Sequence, residues 1–155
     1  LHLSPHYPGT GDVREIGIGE GEGYTINAPL KYGNGNKAAS KILEEIFLPV
    51  AKQFAPDIII MSIGYDSHHL DPLGGLKYTA NFYGEMIAKY QEIQPRIVCT
   101  LEGGYNLGWI GKCLLSQLGQ MTGKKVEIND ISEENEDVEI LMKNIKNEIE
   151  KYWKI

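Results

Sequence analysis

Two apolar runs in this chain end in loops whose residues can do chemistry. Ile58-Ile59-Ile60-Met61-Ser62-Ile63 opens into Gly64-Tyr65-Asp66-Ser67-His68-His69-Leu70-Asp71-Pro72-Leu73-Gly74-Gly75, and Ile97-Val98-Cys99-Thr100-Leu101 opens into Glu102-Gly103-Gly104-Tyr105-Asn106. Asp66 follows closely on a strand end, where its carboxylate can face a crevice and act as an oxygen donor to zinc or a similar divalent ion at roughly 2.0–2.2 Å. The same residue type also closes turns on its own backbone, and spacing alone leaves both readings open. Tyr105 follows two glycines that let the backbone bend sharply, and a phenol at that edge can donate a hydrogen bond to a developing oxyanion. It can equally be a packed aromatic with a wet tip. His68 and His69 are ligand types too, but neighbours in an extended loop are expected to point apart, so at most one should face the site.

The elements that must position these residues can be read from the pattern around them. Both apolar runs read as buried parallel strands, and open α/β sheets bind ligands in the crevice outside the carboxyl ends of such strands. Leu1-His2-Leu3 looks like the tail of a strand, so the chain reads as part of something longer. Residues 4–23 form a glycine-rich connection without periodicity, long enough to be functional or disordered. Tyr24 to Leu30 reads as a strand. A helix should start near Asn36, whose side chain could cap it, with Ile42, Leu43, Ile46, Phe47 and Val50 on one face and Pro49 kinking or shortening it near its end. Strands over 57–63 and 96–101 then alternate with helices over 79–93 and 106–121, the last closed by Gly123. That alternation predicts an α/β fold with a parallel sheet, covering helices and right-handed crossovers. Residues 1–125 form the main portion and 126–136 an acidic linker. Residues 137–155 carry an amphipathic helix, expected to pack on the outside of the domain.

Composition bounds the partners. The chain has 155 residues, 42% of them hydrophobic and 23% charged, which suits one domain with a real core. A formal net charge of −6 argues against a basic face for nucleic acid. The two cysteines, Cys99 and Cys113, sit in apolar surroundings and read as core thiols in a reducing compartment rather than a disulfide. No apolar stretch reaches the roughly 18 residues that span a bilayer, and no signal-like amino end is visible, so the expectation is a cytoplasmic protein without membrane partners.

Three motifs in order, His2-Leu3-Ser4-Pro5-His6-Tyr7-Pro8-Gly9-Thr10-Gly11-Asp12, the Gly64 to Gly75 loop and Leu101-Glu102-Gly103-Gly104-Tyr105-Asn106, resemble the histone deacetylase family in its broad sense. That family includes acetoin utilization proteins and acetylpolyamine amidohydrolases, and the wording is closer to the class II and prokaryotic branch than to class I. The resemblance covers residues 2 to about 120. It implies the carboxyl-terminal part of an arginase/deacetylase-type parallel sheet and a zinc-dependent amidohydrolase, with iron(II) an equal fit to the ligand types. By that analogy Asp66 is a metal ligand, Tyr105 polarises the acetamide carbonyl and Tyr7 lines the acyl-lysine channel. Gly103 and Gly104 shape the loop, and His68 supports the site without being a ligand. The backbone carbonyl of Tyr24 would help hold a structural potassium or sodium ion. The substrate implied is an acetylated lysine or polyamine.

The pattern departs from the family in one respect. Members carry a pair of adjacent histidines for proton transfer and an Asp-x-Asp-x-His motif with two further metal ligands. Neither occurs in the required place here, and His68-His69 lies in the wrong motif. With one carboxylate of a three-ligand site, the expectation is the carboxyl-terminal half of a deacetylase, inactive by itself and needing the amino-terminal half of the same protein as partner. The alternative is a non-catalytic remnant or binding module that keeps the crevice. A dinuclear ureohydrolase fits poorly, since those proteins use several carboxylates near the Asp66 position and lack Leu-Glu-Gly-Gly-Tyr-Asn.

Overall fold

The computed structural model describes residues 1–155. Strand β1 (His2–Leu3) pairs in parallel with β2 (Pro29–Leu30), with His2 opposite Pro29 and Leu3 opposite Leu30. Strand β3 (Ile59–Ile63) pairs in parallel with β4 (Ile97–Leu101), in register from Ile59 opposite Ile97 to Ile63 opposite Leu101. These are two separate two-stranded sheets. The expected strand over Tyr24 to Leu30 shrinks to its last two residues. Upstream of them the Gly23 and Thr25 amides both donate to the Ile16 carbonyl, so the backbone there serves the glycine-rich loop rather than a ladder.

The first helical stretch runs further than Pro49 led us to expect. Helix α1 (Asn36–Ile42) passes through a π-helical turn over Leu43–Phe47 into α2 (Leu48–Phe54). The Leu48 amide bonds the Leu43 carbonyl five residues back. This wider turn leaves Pro49 at the start of α2, where its missing N–H costs least. Asn36 does not cap the helix. It is the first helical residue, and its amide side chain brackets Thr79, with Nδ2 donating to Thr79 Oγ1 at 2.8 Å and Oδ1 accepting from the Thr79 amide at 3.0 Å.

Helices α3 (Ala80–Gln91) and α4 (Ile110–Met121) pack against each other on one face of the β3–β4 sheet. Met61, Ile63, Ile97 and Cys99 turn toward them, with Cys99 Sγ 3.8 Å from Met121 Sδ, and both cysteines are free thiols as expected. Strand alternation sends Ile60 and Val98 the other way, where they stand 70% and 48% exposed. Gly123, at φ +68°, ends α4 in the left-handed cap expected of it. Helix α5 (Glu139–Ile149) buries Met142, Ile145 and Ile149 in the same cluster of 22 core residues that starts at Ala28, so it is integral to the core. No helix is long and apolar enough to cross a membrane.

Candidate active site

The loop after β3 starts with a 3-10 turn over Tyr65–Ser67, which swings Asp66 to the carboxyl end of the strand. The turn is anchored from below. Tyr65 is buried, its hydroxyl donating to Gln117 Oε1 at 2.7 Å, and its ring meets Tyr83 edge-on at 5.0 Å. Ser67 Oγ donates to the Gly64 carbonyl at 2.9 Å and pairs with the Tyr83 hydroxyl at 2.8 Å. Desolvation pushes the Tyr65 phenol up to about 12, so at neutral pH it serves only as a neutral hydrogen-bonding post.

Asp66 is left with its carboxylate half-buried and no side chain donating to it. Burial, and then the charge of Asp71, raise its pKa above the ordinary carboxylate value. Such an oxygen pair favours a bound cation, which would supply the compensation that the protein does not. The backbone makes room for it. A Cβ on Gly103 would lie 2.1 Å from Asp66 Oδ2, so any larger residue would displace the carboxylate. Gly104, at φ +142°, turns the second loop in a region that side chains rarely adopt.

One carboxylate ties the two loops together. Asp71 Oδ1 accepts the Leu73 and Gly74 amides at 2.9 and 3.0 Å, and Oδ2 accepts the Tyr105 and Asn106 amides at 2.7 and 3.1 Å. Asn106 Nδ2 returns a bond to the Leu70 carbonyl at 2.6 Å. The position of Tyr105 is therefore set by Asp71, although its ring is half exposed.

Asp66, Gly64 and Ser67 line a cleft of about 680 Å³ together with His6 and Tyr7 from the loop after β1. The Tyr7 ring stands at the rim, 92% exposed. Tyr105, Gly103 and Gly104 are not among the cleft-lining residues. Tyr24 lies elsewhere, with its ring edge-on to Trp153 and Phe54 at 5.6 and 6.2 Å.

The two histidines do not point apart. His68 Nε2 and His69 Nε2 both reach Asp130, at 3.0 Å from Oδ2 and 2.8 Å from Oδ1, so one carboxylate with two oxygens gathers neighbouring rings that lie 4.6 Å apart. Neither ring lines the Asp66 cleft. His68 is buried, stacked on Trp109 at 4.6 Å, and its Nδ1 accepts the Leu70 amide at 3.2 Å, which makes Nε2 the protonated nitrogen. Burial lowers the His68 pKa. Burial would raise that of Asp130, but the Ala80 amide at 2.7 Å and the two imidazoles outweigh it and hold it below the usual range. His68, His69 and Asp130 lie close enough to hold a metal ion. Their hydrogen bonds instead make them a clasp between the site loop, the start of α3 and residues 126–136.

Sequence reasoning missed Asp71 as the tie between loops, Asp130 as the clasp and His6 as a cleft residue. Asp71 had a readable signal, since Asp-Pro in a glycine-bounded loop marks a side chain that accepts backbone amides. Asp130 had none, because nothing in Ile128-Asn129-Asp130-Ile131 separates it from its acidic neighbours.

A family model described as Histone deacetylase domain matches residues 1–121. The chain is 44% identical over 111 residues to Histone deacetylase 10, chloroplastic, of Oryza sativa subsp. japonica, covering 68% of this chain and 25% of that protein. It is 41% identical over 111 residues to a probable deacetylase of Archaeoglobus fulgidus, covering 68% of this chain and 31% of that protein. Its fold matches the crystal structure of the HDA15 HD domain with a TM-score of 0.83 at 28% identity, over 96% of this chain and 41% of that one. The chain thus spans about a quarter to a third of the length of these curated relatives.

Proposed function

This chain belongs to the histone deacetylase family and has its α/β fold, and on that premise we propose that it forms one side of the active site of a zinc-dependent deacetylase. Asp66 would be one of three protein ligands to the metal, the other two coming from the amino-terminal half of the same protein. The observation that carries this reading is the half-buried Asp66 carboxylate, without a side-chain donor, held by Gly103 at the mouth of a cleft. The donor set fits the group in part, as one oxygen of a three-ligand site. When bound, the metal supplies Lewis-acid activation of water and of the acyl oxygen, a role that zinc or iron(II) could fill.

The chain's own residues do the rest. Tyr105 would donate its phenolic hydrogen to the developing oxyanion of the acetamide, on a backbone fixed by Asp71. Tyr7, standing at the rim of the cleft, would flank the alkyl stem of an acetylated lysine or polyamine. The Tyr24 carbonyl, which accepts no hydrogen bond in the protein, would join the shell of a structural potassium or sodium ion. A second reading, a non-catalytic binding module, is favoured by the lack of a histidine pair and of Asp-x-Asp-x-His in this sequence.

The test is Tyr105→Phe in a protein carrying both halves, assayed on acetylated lysine and acetylated polyamine. Turnover should fall about 10²-fold or more, the scale of a lost oxyanion donor, with binding of substrate little changed. Unchanged turnover would remove Tyr105 from the reaction, and absence of turnover in the parent protein would favour the binding module.

A further inference from the structure

The same cleft has a second aspect that lies away from Asp66. Its long walls are the two separate sheets, with Leu1 to Leu3 on one side and Ile59 to Ile63 on the other. Each wall is a strand edge with unused backbone groups. The His2 and Ser4 amides bond β2, so alternation turns the Leu3 N–H and C=O away from it. The Ile59 amide bonds the Arg96 carbonyl and the Ile63 carbonyl accepts from Glu102, both toward β4, so Ile60 and Ser62 present their N–H and C=O to the cleft. Loops from the carboxyl ends of both strands, through His6 and Asp66, line the same end of the cleft, so β1 and β3 run in the same direction. The two buried side-chain polar atoms that lack any partner, His2 Nε2 and Tyr78 Oη, belong to residues of this cleft as well. Buried polar groups are almost always paired, so two orphans in one cavity point to a missing polar occupant.

We propose that the cleft is a slot for one β-strand from another polypeptide segment, running parallel to β1 and β3 and joining the two sheets into one of order β2, β1, inserted strand, β3, β4. A strand spans one such gap because neighbouring strands lie about 4.8 Å apart, and five residues at about 3.3 Å each match the length of β3. The exposed Ile60 and Val98 face supports the same partner, since parallel sheets are covered on both faces and this one is covered on one. The occupant is an apolar strand whose backbone pairs both edges, drawn from the remainder of a deacetylase-family chain. In that last respect the inference rests on the proposed function.

The experiment is residue-resolved amide exchange on the 155-residue chain, alone and co-expressed with the part of the Archaeoglobus fulgidus relative outside its matched 111 residues. Alone, the Leu3, Ile60 and Ser62 amides should exchange fast while Met61 and Ile63 stay protected. In the complex the first three should gain about tenfold protection or more. Ile60→Pro removes an edge donor that the β3–β4 ladder does not use, so it should leave melting of the isolated chain unchanged and abolish co-purification. No co-purification, or protection that bypasses those three amides, would overturn the slot. Protection already present in the chain alone, with a dimer in sedimentation, would assign the cleft to a second copy and overturn it too. Protected amides without deacetylase turnover would sink the functional reading and leave the slot standing, and turnover with the three amides unprotected would do the reverse.

Discussion

A carboxylate's surroundings decide what it does, and the three aspartates around this site show it. Asp71 accepts four backbone amides and spends its charge on holding two loops in place. Asp130 accepts one amide and two imidazoles and is thereby kept ionised while buried. Asp66 has no side-chain donor and is the one open to an outside cation. The clasp sets a pH dependence with a definite sign. The His68 pKa is lowered by folding, so the unfolded chain binds the extra proton as pH drops below about 6.5. The Asp130 pKa is lowered too, so in the more acidic range below its ordinary value the unfolded chain again takes up more protons. Both contributions are complete above the unfolded values and are lost on acidification. Urea unfolding should therefore show stability falling from pH 7.5 to 5.5, by at most about 1.4 kcal/mol per pH unit for one proton. His68→Gln should flatten that slope, and a slope that persists unchanged in this variant would place the titrating group elsewhere.

At the scale of the elements, local preference and tertiary demand disagree at a few defined points. Ala55 ends α2 at φ +50°, a left-handed position that favours glycine. Ala55→Gly is expected to raise stability by about 0.5–1 kcal/mol in chemical denaturation, because relief of the strained backbone outweighs the added freedom of the unfolded chain. A loss instead would mean that the Ala55 methyl packs usefully. The helices and the strands β3 and β4 were legible in the sequence because their apolar periodicity and glycine or proline boundaries are local signals. Asp66 and Tyr105 were legible as candidates because each sits just past such a strand. The π turn before Pro49, the shortened β2 and the side chain of Asn36 were not, since each depends on what the segment meets in space. The partners of Asn36 and Asp130 lie 43 and 50 residues away in sequence, beyond the reach of any periodicity. The pairing of His68 with His69 failed for the same reason, as the residue that gathers them is remote.

In the whole molecule, the carboxyl-terminal residues are structural parts of the front of the chain. Tyr152 Oη donates to Glu22 Oε1 at 2.6 Å, Trp153 Nε1 donates to the Gly23 carbonyl at 2.7 Å, and both pairs are 130 residues apart. Trp153 also closes an aromatic group with Tyr24 and Phe54. Removing residues 150–155 should cost about 1–3 kcal/mol and make the backbone around Gly17 to Gly23 a preferred site of limited proteolysis. Equal protease resistance in the shortened chain would mean that the loop holds itself. These contacts also order events in time. A ribosome makes the amino end first, and domains settle as their parts emerge. The glycine-rich loop is among the first segments out, yet its latch is Trp153, so it must wait unfastened through nearly the whole of translation and closes only once the chain has been released.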